Sequence, residues 1–519
     1  MATRGPAAAL PLKTREAALA AGPRVAIRSK RLSGSLALTG AKIDDLALNN
    51  YRETLDGNSA KIVLLSPAGA KDAYFAQFGW VAAGGGTMPG ADTVWKASSD
   101  VLEPGRPVTL TWDNGQGLRF SQTYALDDDF MFTVSQKVEN LGQGAAALHP
   151  FGLVSRHGTP KTTGYAILHE GVLGVFDNTL KEISYSDMKE KGVAKQDSTG
   201  GWLGITDKYW LTTLAASPKA KVSTRFVHSR DGDLDKYQAD ILGERLTVAA
   251  GAAAEATTYF FAGAKEVKLL DRYAETLGIA RFDLAIDFGW FYFLTKPIFY
   301  LLVVIHEYVP NFGLAILVLT VLIKGAMFPL ANKSYSAMSR MKKLQPQMEK
   351  LRERFGEDKL RLNQEMMALY KREKVNPAAG CLPIFVQIPV FFALYKVLFV
   401  TIEMRHAPFY GWIHDLSAPD PTTIFNLFGL IPWAPPEYLM IGIWPLIMGA
   451  TMWLQQKLNP QPTDPVQAKI FMILPFLFTF LLATFPAGLV IYWAWNNILS
   501  IAQQWVIMKK EGVKVSLTS

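Results

Sequence analysis

The sequence predicts an α-helical polytopic membrane core that is preceded by an all-β domain. Half of the 519 residues are hydrophobic and only 19% are charged, but these averages hide two unlike parts. Residues 1–280 carry 31 basic and 30 acidic residues, whereas the remainder carries 22 basic and 15 acidic residues beside long apolar stretches. Apolar and polar residues alternate in the first part, which is typical of strands, and apolar residues fill five long runs in the second.

Residues 25–265 are predicted to form a large β-sandwich. VTLTW (108–112) precedes the turn sequence DNG, which is followed by LRFSQTYAL (118–126) and FMFTVSQKV (130–138). Alternating strands that are broken by Asn-Gly turns predict hairpins, and repeated short strands predict a sandwich. The histidines of this domain have no metal-ligand spacing to one another and are interpreted as core or surface residues: His149, His157, His169 and His228.

The segments on either side of this domain have weaker patterns. Residues 1–24 are rich in alanine and arginine, and we expect them to be disordered. Residues 266–310 are predicted to hold a connector and an amphipathic helix that lies in the membrane surface. The apolar stretch 288–305 is interrupted by Lys296-Pro297 and carries interfacial aromatic residues, which favours a surface helix over a membrane span.

The remaining chain is predicted to be a five-span membrane core, residues 311–509, followed by a tail at 510–519. Residues 470–508 contain no charge over 39 positions, about twice the ~20 residues that a bilayer requires, so a turn is expected near Pro486. The predicted spans are residues 311–330, 381–402, 437–456, 469–485 and 488–508. The single cysteine, Cys381, excludes an intramolecular disulfide.

A basic helical hairpin is predicted between the first two spans, at residues 333–375. Apolar residues recur there at steps of three or four, and Gly356-Glu357-Asp358 separates the two arms. This stretch holds five of the chain's 16 methionines, and methionine surfaces adapt to varied apolar partners. We therefore expect the methionines to contact a partner, with packing of one arm on the other as the alternative; they are Met338, Met341, Met348, Met366 and Met367.

The distribution of basic residues predicts the orientation of the core. Lysine and arginine are concentrated in the 331–380 loop, the 457–469 loop and the tail, which are therefore expected in the cytoplasm. The β domain would then lie outside the cytoplasm, yet residues 1–30 contain no apolar run that could export it. Either a leading hydrophobic segment lies outside this chain, which we favour, or residues 288–305 span the membrane and the β domain is cytosolic.

Lys324 is the principal candidate functional residue, because a lysine inside a membrane span costs about 3 kcal/mol. Two interpretations are open: the side chain extends to the membrane surface, or it lines a wet intramembrane cavity. No predicted span contains a carboxylate in its interior that could neutralise the charge, since Glu437 stands at the very start of the third span. The other spans offer polar or aromatic candidates for the same cavity, giving the set Thr320, Lys324, Gln387, Gln455, Tyr492, Trp493, Asn496 and Ser500.

No enzymatic chemistry is predicted. The spans hold no aspartate pair and no HExxH sequence, which argues against an intramembrane protease. No glycine-rich phosphate loop, metal site or other cofactor site is expected. A transporter or channel with a polar cavity stays open as an alternative function.

Four stretches, residues 282–299, 344–395, 405–421 and 485–493, resemble the YidC-type membrane protein insertases. The resemblance implies a five-helix core whose hydrophilic groove opens to the cytoplasm and to lipid, and a periplasmic β-supersandwich similar to sugar-mutarotase folds. In that family the position of Lys324 usually holds arginine, so the charge is kept but bidentate pairing is lost. The family also begins with a signal-anchor span, which fits the first of the two export alternatives.

The resemblance also implies a function. We expect a bacterial inner-membrane protein that inserts newly made membrane proteins and helps them fold, alone or with the Sec translocon. Its partners would be nascent clients, the lipid bilayer, the ribosome and the translocon, and no cofactor would be required. The β domain would lie in the periplasm and the C-terminus in the cytoplasm.

Overall fold

The structure, a computed structural model, describes residues 13–84, 86–164, 168–376, 382–433, 435–436, 439–459 and 465–512. The chain divides into two compact units: unit 1 ends at Asp287 and unit 2 begins at Phe288. The sequence predictions for residues 1–12, for Cys381 and for the tail beyond residue 512 lie outside the described residues.

Unit 1 is built from strands. In chain order these are β1 (Arg24–Arg28), β2 (Leu32–Ala37), β3 (Lys42–Arg52), β4 (Lys61–Leu65), β5 (Tyr74–Ala82), β6 (Lys96–Ala97), β7 (Val101–Leu102), β8 (Val108–Asp113), β9 (Leu118–Leu126), β10 (Met131–Asn140), β11 (Ala146–His157), β12 (Gly171–Phe176), β13 (Thr179–Ser184), β14 (Val193–Thr199), β15 (Trp202–Thr206), β16 (Trp210–Ala216), β17 (Lys221–Asp231), β18 (Leu234–Gly243), β19 (Leu246–Val248) and β20 (Ala253–Ala264).

The strands form two sheets, as the sequence predicts for a sandwich. Among the described residues, one sheet has the order β14-β17-β18-β11-β5-β3-β2-β1-β7, with β19 beside β11 and β4 beside β3. The other has the order β13-β12-β15-β16-β20-β10-β9-β8-β6. The predicted hairpins are present, since β9 pairs antiparallel with β8 through Tyr124 and Val108, and with β10 through Leu126 and Phe132. Alternate residues of β9 and β10 are buried, which is the burial pattern expected of strands with one face in a core.

Three short helices also belong to unit 1: α1 (Arg15–Leu19), α2 (Tyr185–Lys191) and α3 (Val267–Leu277). Helix α1 differs from the disorder expected for residues 1–24, because Thr14 caps its first turn and Arg15 pairs with Asp45. A 3-10 helix at Phe282–Ala285 follows α3. Phe282 is fully buried against Trp202, with ring centroids 5.4 Å apart. Residues 266–287, the first part of the segment 266–310 that was expected to hold a connector and a surface helix, therefore belong to unit 1.

Unit 2 is helical. Its helices are α4 (Tyr292–Tyr308), α5 (Phe312–Ala326), α6 (Phe328–Phe355), α7 (Lys359–Arg372), α8 (Leu382–Val400), α9 (Ile443–Leu458), α10 (Pro465–Leu482) and α11 (Ala487–Lys510). Between α8 and α9 the described residues include a 3-10 helix at Ile402–Met404 and a segment Ile424–Gly429 whose 3-10 turns are interrupted by non-helical backbone at residues 426–428. An all-β unit followed by a helical unit confirms the predicted fold class.

The lengths of the helices bear on the predicted spans. Helices α5, α8, α9, α10 and α11 each fall mainly within one of the five. In the described ranges, no helix taken singly has both the length and the apolarity needed to cross a bilayer. Helices α5 and α6 meet that requirement together, although their axes are bent by 69°. The number of spans therefore stays a prediction.

The bend between α5 and α6 has a local cause. Pro329 lies in the first turn of α6, where it lacks an amide hydrogen and its ring would clash with the carbonyl four residues earlier in a continuous helix. That carbonyl belongs to Gly325, in the last turn of α5, so α5 ends there and the chain changes direction at Met327. The bend leaves Lys324 in the last turn of α5, where a positive charge interacts favourably with the helix dipole.

Candidate functional site

A cavity of about 270 Å³ lies among α5, α6, α8, α9 and α11. Seven of the eight residues that the sequence predicts for a polar cavity line it, although they come from four different helices. The lining residues are Lys324, Met327, Ala331, Tyr335, Gln387, Ile388, Phe391, Met452, Gln455, Tyr492, Trp493, Asn496, Asn497 and Ser500. The cavity thus combines one cation with amides, hydroxyls and an apolar wall.

Lys324 is the cation of this cavity. Its Nζ donates a hydrogen bond of 2.8 Å to Ser500 Oγ, and Ser500 in turn donates to the Asn496 carbonyl at 2.7 Å. Within the described ranges, no carboxylate forms an ion pair with Lys324. An ammonium group has three donor hydrogens, so one hydroxyl partner leaves it able to bind an acceptor that enters the cavity.

Amide and hydroxyl groups surround the ammonium group. Gln387 Nε2 donates to the Tyr492 hydroxyl at 2.7 Å, which connects α8 to α11 across the cavity. Asn496 Oδ1 is buried and accepts no hydrogen bond from any described residue. A buried acceptor without a partner is costly, so this oxygen is a place where water or an entering polar group would be stabilised.

Thr320 is the one predicted cavity residue that does not line the cavity. Its side chain is 1% exposed, and its Oγ1 donates to the Ile316 carbonyl of its own helix at 2.6 Å. Hydroxyls of serine and threonine inside helices often satisfy themselves in this way. Thr320 therefore supports α5 behind Lys324 instead of facing the cavity.

The sequence did not identify Tyr335 as a site residue. It lies within the predicted hairpin, residues 333–375, but the bend at Met327 brings the first turns of α6 to the cavity. There the Tyr335 ring packs on Ala331 and Ile507, and Tyr335 lines the cavity together with Ser500. The sequence carried little signal for it, because Tyr370 in the same hairpin has the same side chain and packs against the core between the arms.

Apolar surfaces adjoin the cavity on α8 and α10. Trp493 connects them, since its ring lies 4.7 Å from Phe391 of the cavity wall and 5.7 Å from Phe478 of α10, measured between centroids. Large side chains of both helices are exposed, with Phe385 at 66% and Phe476 at 68%. The exposed apolar residues are Phe385, Val386, Ile388 and Phe392 on α8, and Val466, Ile470, Phe471, Met472, Ile473, Phe476, Leu477, Phe480 and Leu481 on α10.

The predicted hairpin is formed by α6 and α7, and its methionines have different environments. Met348 and Met366 are buried with Leu344 and Leu369 in a core between the two arms, and Met341 packs against that core. Met338 packs against the cluster that contains Tyr335. Met367 is 52% exposed, so it is the only one of the five that is mainly exposed. Arm-to-arm packing, the alternative from the sequence, thus accounts for Met341, Met348 and Met366.

No group of three or more histidine, cysteine, aspartate or glutamate side chains is arranged for metal binding among the described residues. The cavity is a recess lined by one cation, by amides and hydroxyls, and by apolar side chains. It can attract an acidic or polar group, and the surfaces beside it can contact an apolar one.

Comparisons with known proteins give two family matches that together cover most of the chain. Residues 24–301 match the YidC periplasmic domain, and residues 304–514 match the 60Kd inner membrane protein family. The protein called membrane protein insertase YidC in Methylobacterium nodulans is 54% identical over 514 residues, covering 97% of this chain and 85% of that protein. The protein of the same name in Beijerinckia indica is 55% identical over 515 residues, with the same coverage.

Solved structures also align with the chain. An active YidC insertase with its first transmembrane domain resolved aligns with 93% of this chain and 94% of its own, at 16% identity and a TM-score of 0.37. A galactose mutarotase-like protein from Lactobacillus casei aligns with 46% of this chain and 99% of its own, at 13% identity and a TM-score of 0.32.

Proposed function

Since the chain belongs to the YidC family of membrane protein insertases, we propose that it inserts newly made proteins into the bacterial inner membrane through the cavity around Lys324. The observation that carries this proposal is the convergence of a cation, amides and hydroxyls beside exposed apolar helices. Such a surface can hold the two unlike parts of a membrane protein at once. Insertion makes and breaks no covalent bond, so the protein acts as an insertase and folding chaperone, not as an enzyme.

The polar part of a client would enter the cavity. Lys324 lacks a carboxylate partner among the described residues, and an acidic client segment would supply one. Two opposite charges about 4 Å apart attract by about 4 kcal/mol at an effective permittivity near 20, before the cost of desolvating them. The free oxygen of Asn496 and the exchangeable Gln387–Tyr492 hydrogen bond would accommodate the client's neutral polar groups.

The apolar part of the client would leave along α8 and α10. Their exposed side chains are apolar, and Trp493 of the cavity wall contacts Phe391 of α8 and Phe478 of α10. Transfer of about 20 apolar residues from water to lipid is favourable by itself, so no nucleotide is required. Because this transfer is favourable only from water to lipid, it would drive the client into the bilayer and oppose its return.

The hairpin of α6 and α7 would meet clients before they reach the cavity. Met367 is the hairpin methionine best placed for this contact, because it is exposed while the other four pack within the protein. We further propose contact with the ribosome and with the Sec translocon. In the proposed orientation, residues 25–265 lie in the periplasm, and the hairpin and the C-terminus lie in the cytoplasm.

Substitution of Lys324 tests the proposal. We expect Lys324→Ala and Lys324→Glu to slow insertion of a client with an acidic translocated segment, by about tenfold for alanine, which corresponds to about 1.4 kcal/mol. Lys324→Arg keeps the charge and should retain insertion. The measurement is protease protection of the client in proteoliposomes that contain the full chain.

The controls separate the charge of the cavity from charge in general. Lys469→Ala removes an exposed lysine at the start of α10, outside the cavity, and should insert the client normally. A client whose translocated segment is neutral should depend less on Lys324 than its acidic parent does. Insertion of the acidic client by Lys324→Ala at the wild-type rate would refute the proposed role of the charge. Flux of small ions through the proteoliposomes without client would favour the transporter or channel instead.

A further inference from the structure

Residues 421–433, which we name the apolar loop, expose large hydrophobic side chains shortly before α9 begins. The sequence is uncharged from Pro421 to Pro435. Leu430 is 84% exposed, and its neighbours are exposed by a third to a half of their surface. The exposed members are Ile424, Phe425, Leu427, Phe428, Leu430, Ile431 and Trp433. Apolar residues in such density are unusual on a surface that faces only water.

The base of the apolar loop is held firmly. Asp420 is buried, and its Oδ1 accepts hydrogen bonds from Trp412 Nε1 at 3.1 Å and from the Thr422 hydroxyl at 2.7 Å. Its Oδ2 accepts from the amide of Trp444, in the first turn of α9, at 2.9 Å. Thr423 is also buried and donates to the Leu439 carbonyl at 2.9 Å. The loop is therefore fixed to the N-terminal end of α9.

The tip of the apolar loop is held in an uncommon conformation. Leu427 and Phe428 have φ angles of 50° and 58°, in the left-handed region that large side chains avoid. Two hydrogen bonds maintain this backbone, from the Phe428 amide to the Thr423 carbonyl at 2.9 Å and from the Ile431 amide to the Asn426 carbonyl at 3.0 Å. The backbone is therefore strained in a segment whose apolar side chains are exposed. Exposure of apolar side chains to water is unfavourable.

Aromatic residues indicate the depth at which the base lies. The indole of Trp412 donates to Asp420, Trp444 lies in the first turn of α9, and Tyr410 is 61% exposed. Tryptophan and tyrosine are enriched where a bilayer meets water, because their rings are apolar and carry one polar group. Helix α9 continues from Trp444 with exposed apolar side chains that would face lipid, such as Trp453.

We propose that the apolar loop inserts into the lipid bilayer, at the boundary between headgroups and acyl chains, in the leaflet at the N-terminal end of α9. Its lack of charge gives a polar or charged partner nothing to pair with, whereas its exposed leucine, isoleucine and aromatic side chains match the chemistry of that boundary. Because Asp420 connects the base of the loop to α9, the loop would be held at a fixed position in one leaflet. This inference depends on the family's membrane location and not on the role of Lys324.

A fluorescent probe at the tip tests the proposal in the full chain. Leu430→Cys is made in a Cys381→Ser background, labelled with an environment-sensitive fluorophore and reconstituted in phospholipid vesicles. The matched control is Glu357→Cys, an exposed position at the turn between α6 and α7. We expect the Leu430 probe to emit at shorter wavelength than the control and to be quenched about twofold or more by lipids brominated near the headgroup.

Two results would overturn the proposal. Emission and quenching equal to those of the Glu357 probe would place the tip in water. Emission at shorter wavelength without quenching by brominated lipid would mean that protein, such as a second copy of the chain, covers the tip. Leu430 is a solvent-exposed position, so the substitution leaves the hydrogen bonds of Asp420 and Thr423 in place.

Discussion

His157, at the end of β11, shows how the environment of one residue sets the pH dependence of unit 1. Its ring contacts Phe75 edge-on, with centroids 5.9 Å apart, and burial together with the nearby Lys236 lowers its pKa to about 4. An unfolded histidine has a pKa near 6.5. Between these two values the unfolded chain binds more protons than the folded one, so stability is full above about pH 6.5 and falls as the pH decreases towards 4.

We therefore expect the unfolding temperature of unit 1 to fall between pH 6.5 and pH 4, and to fall less steeply in His157→Gln. Thermal unfolding at several pH values measures how the unfolding temperature changes with pH. Burial also lowers the pKa of His169, so part of the slope should remain in the variant. A variant with the wild-type slope would show that His157 does not contribute to the acid sensitivity.

The hairpin of α6 and α7 contains two adjacent methionines with opposite environments. Met366 is buried between the arms, and Met367 next to it is mainly exposed. We expect Met366→Ala to weaken the pairing of the arms by about 2–4 kcal/mol, because it removes a buried side chain and leaves a cavity. Hydrogen exchange of the amides of α7 measures this loss.

Met367→Ala is the matched control for the hairpin, with an expected change within about 0.5 kcal/mol. The same variant should reduce cross-linking to a bound client if Met367 contacts clients as proposed. Equal loosening of α7 by both substitutions would contradict the assignment of Met366 to the core and Met367 to the surface.

At the scale of the whole molecule, the boundary between the units lies at Asp287, within the segment 266–310 in which the sequence predicts a connector and a surface helix. Phe282 fills a position between Trp202 and Phe261, and Tyr273 of α3 also packs on Phe261. Removing residues 266–287 would expose these rings to water. We expect residues 24–287 to unfold cooperatively as an isolated domain, and residues 24–265 to be less stable by several kcal/mol, as for the loss of buried aromatic side chains.

Thermal or denaturant unfolding of the two fragments checks the boundary. The comparison is matched, because both fragments contain all of β1 to β20 and differ only in the segment from Glu266 to Asp287. Equal stability of the two fragments would show that the folded domain ends at residue 265 and that residues 266–287 do not stabilise it. Aggregation of both without a cooperative transition would contradict the independence of unit 1.

By itself the sequence determined which kinds of element are present and which residues bring charge or polarity to apolar helices. These patterns are local, so they can be recognised without knowing which segments pack together. Examples are the alternation in β9, the uncharged stretch that forms most of α10 and α11, and the break between α6 and α7. The lysine in an apolar run and the polar residues of the other predicted spans were recognised for the same reason.

Only the tertiary structure decided which of these residues meet. Lys324 and Ser500 are 176 positions apart, and their contact depends on how α5 packs against α11. Packing likewise turned Thr320 towards its own helix, brought Tyr335 to the cavity and placed Met348 and Met366 between the arms of the hairpin. Periodicity shows that a helix has an apolar face, but the angle and the partner of each helix select which side chain is enclosed and which remains open to water, lipid or client.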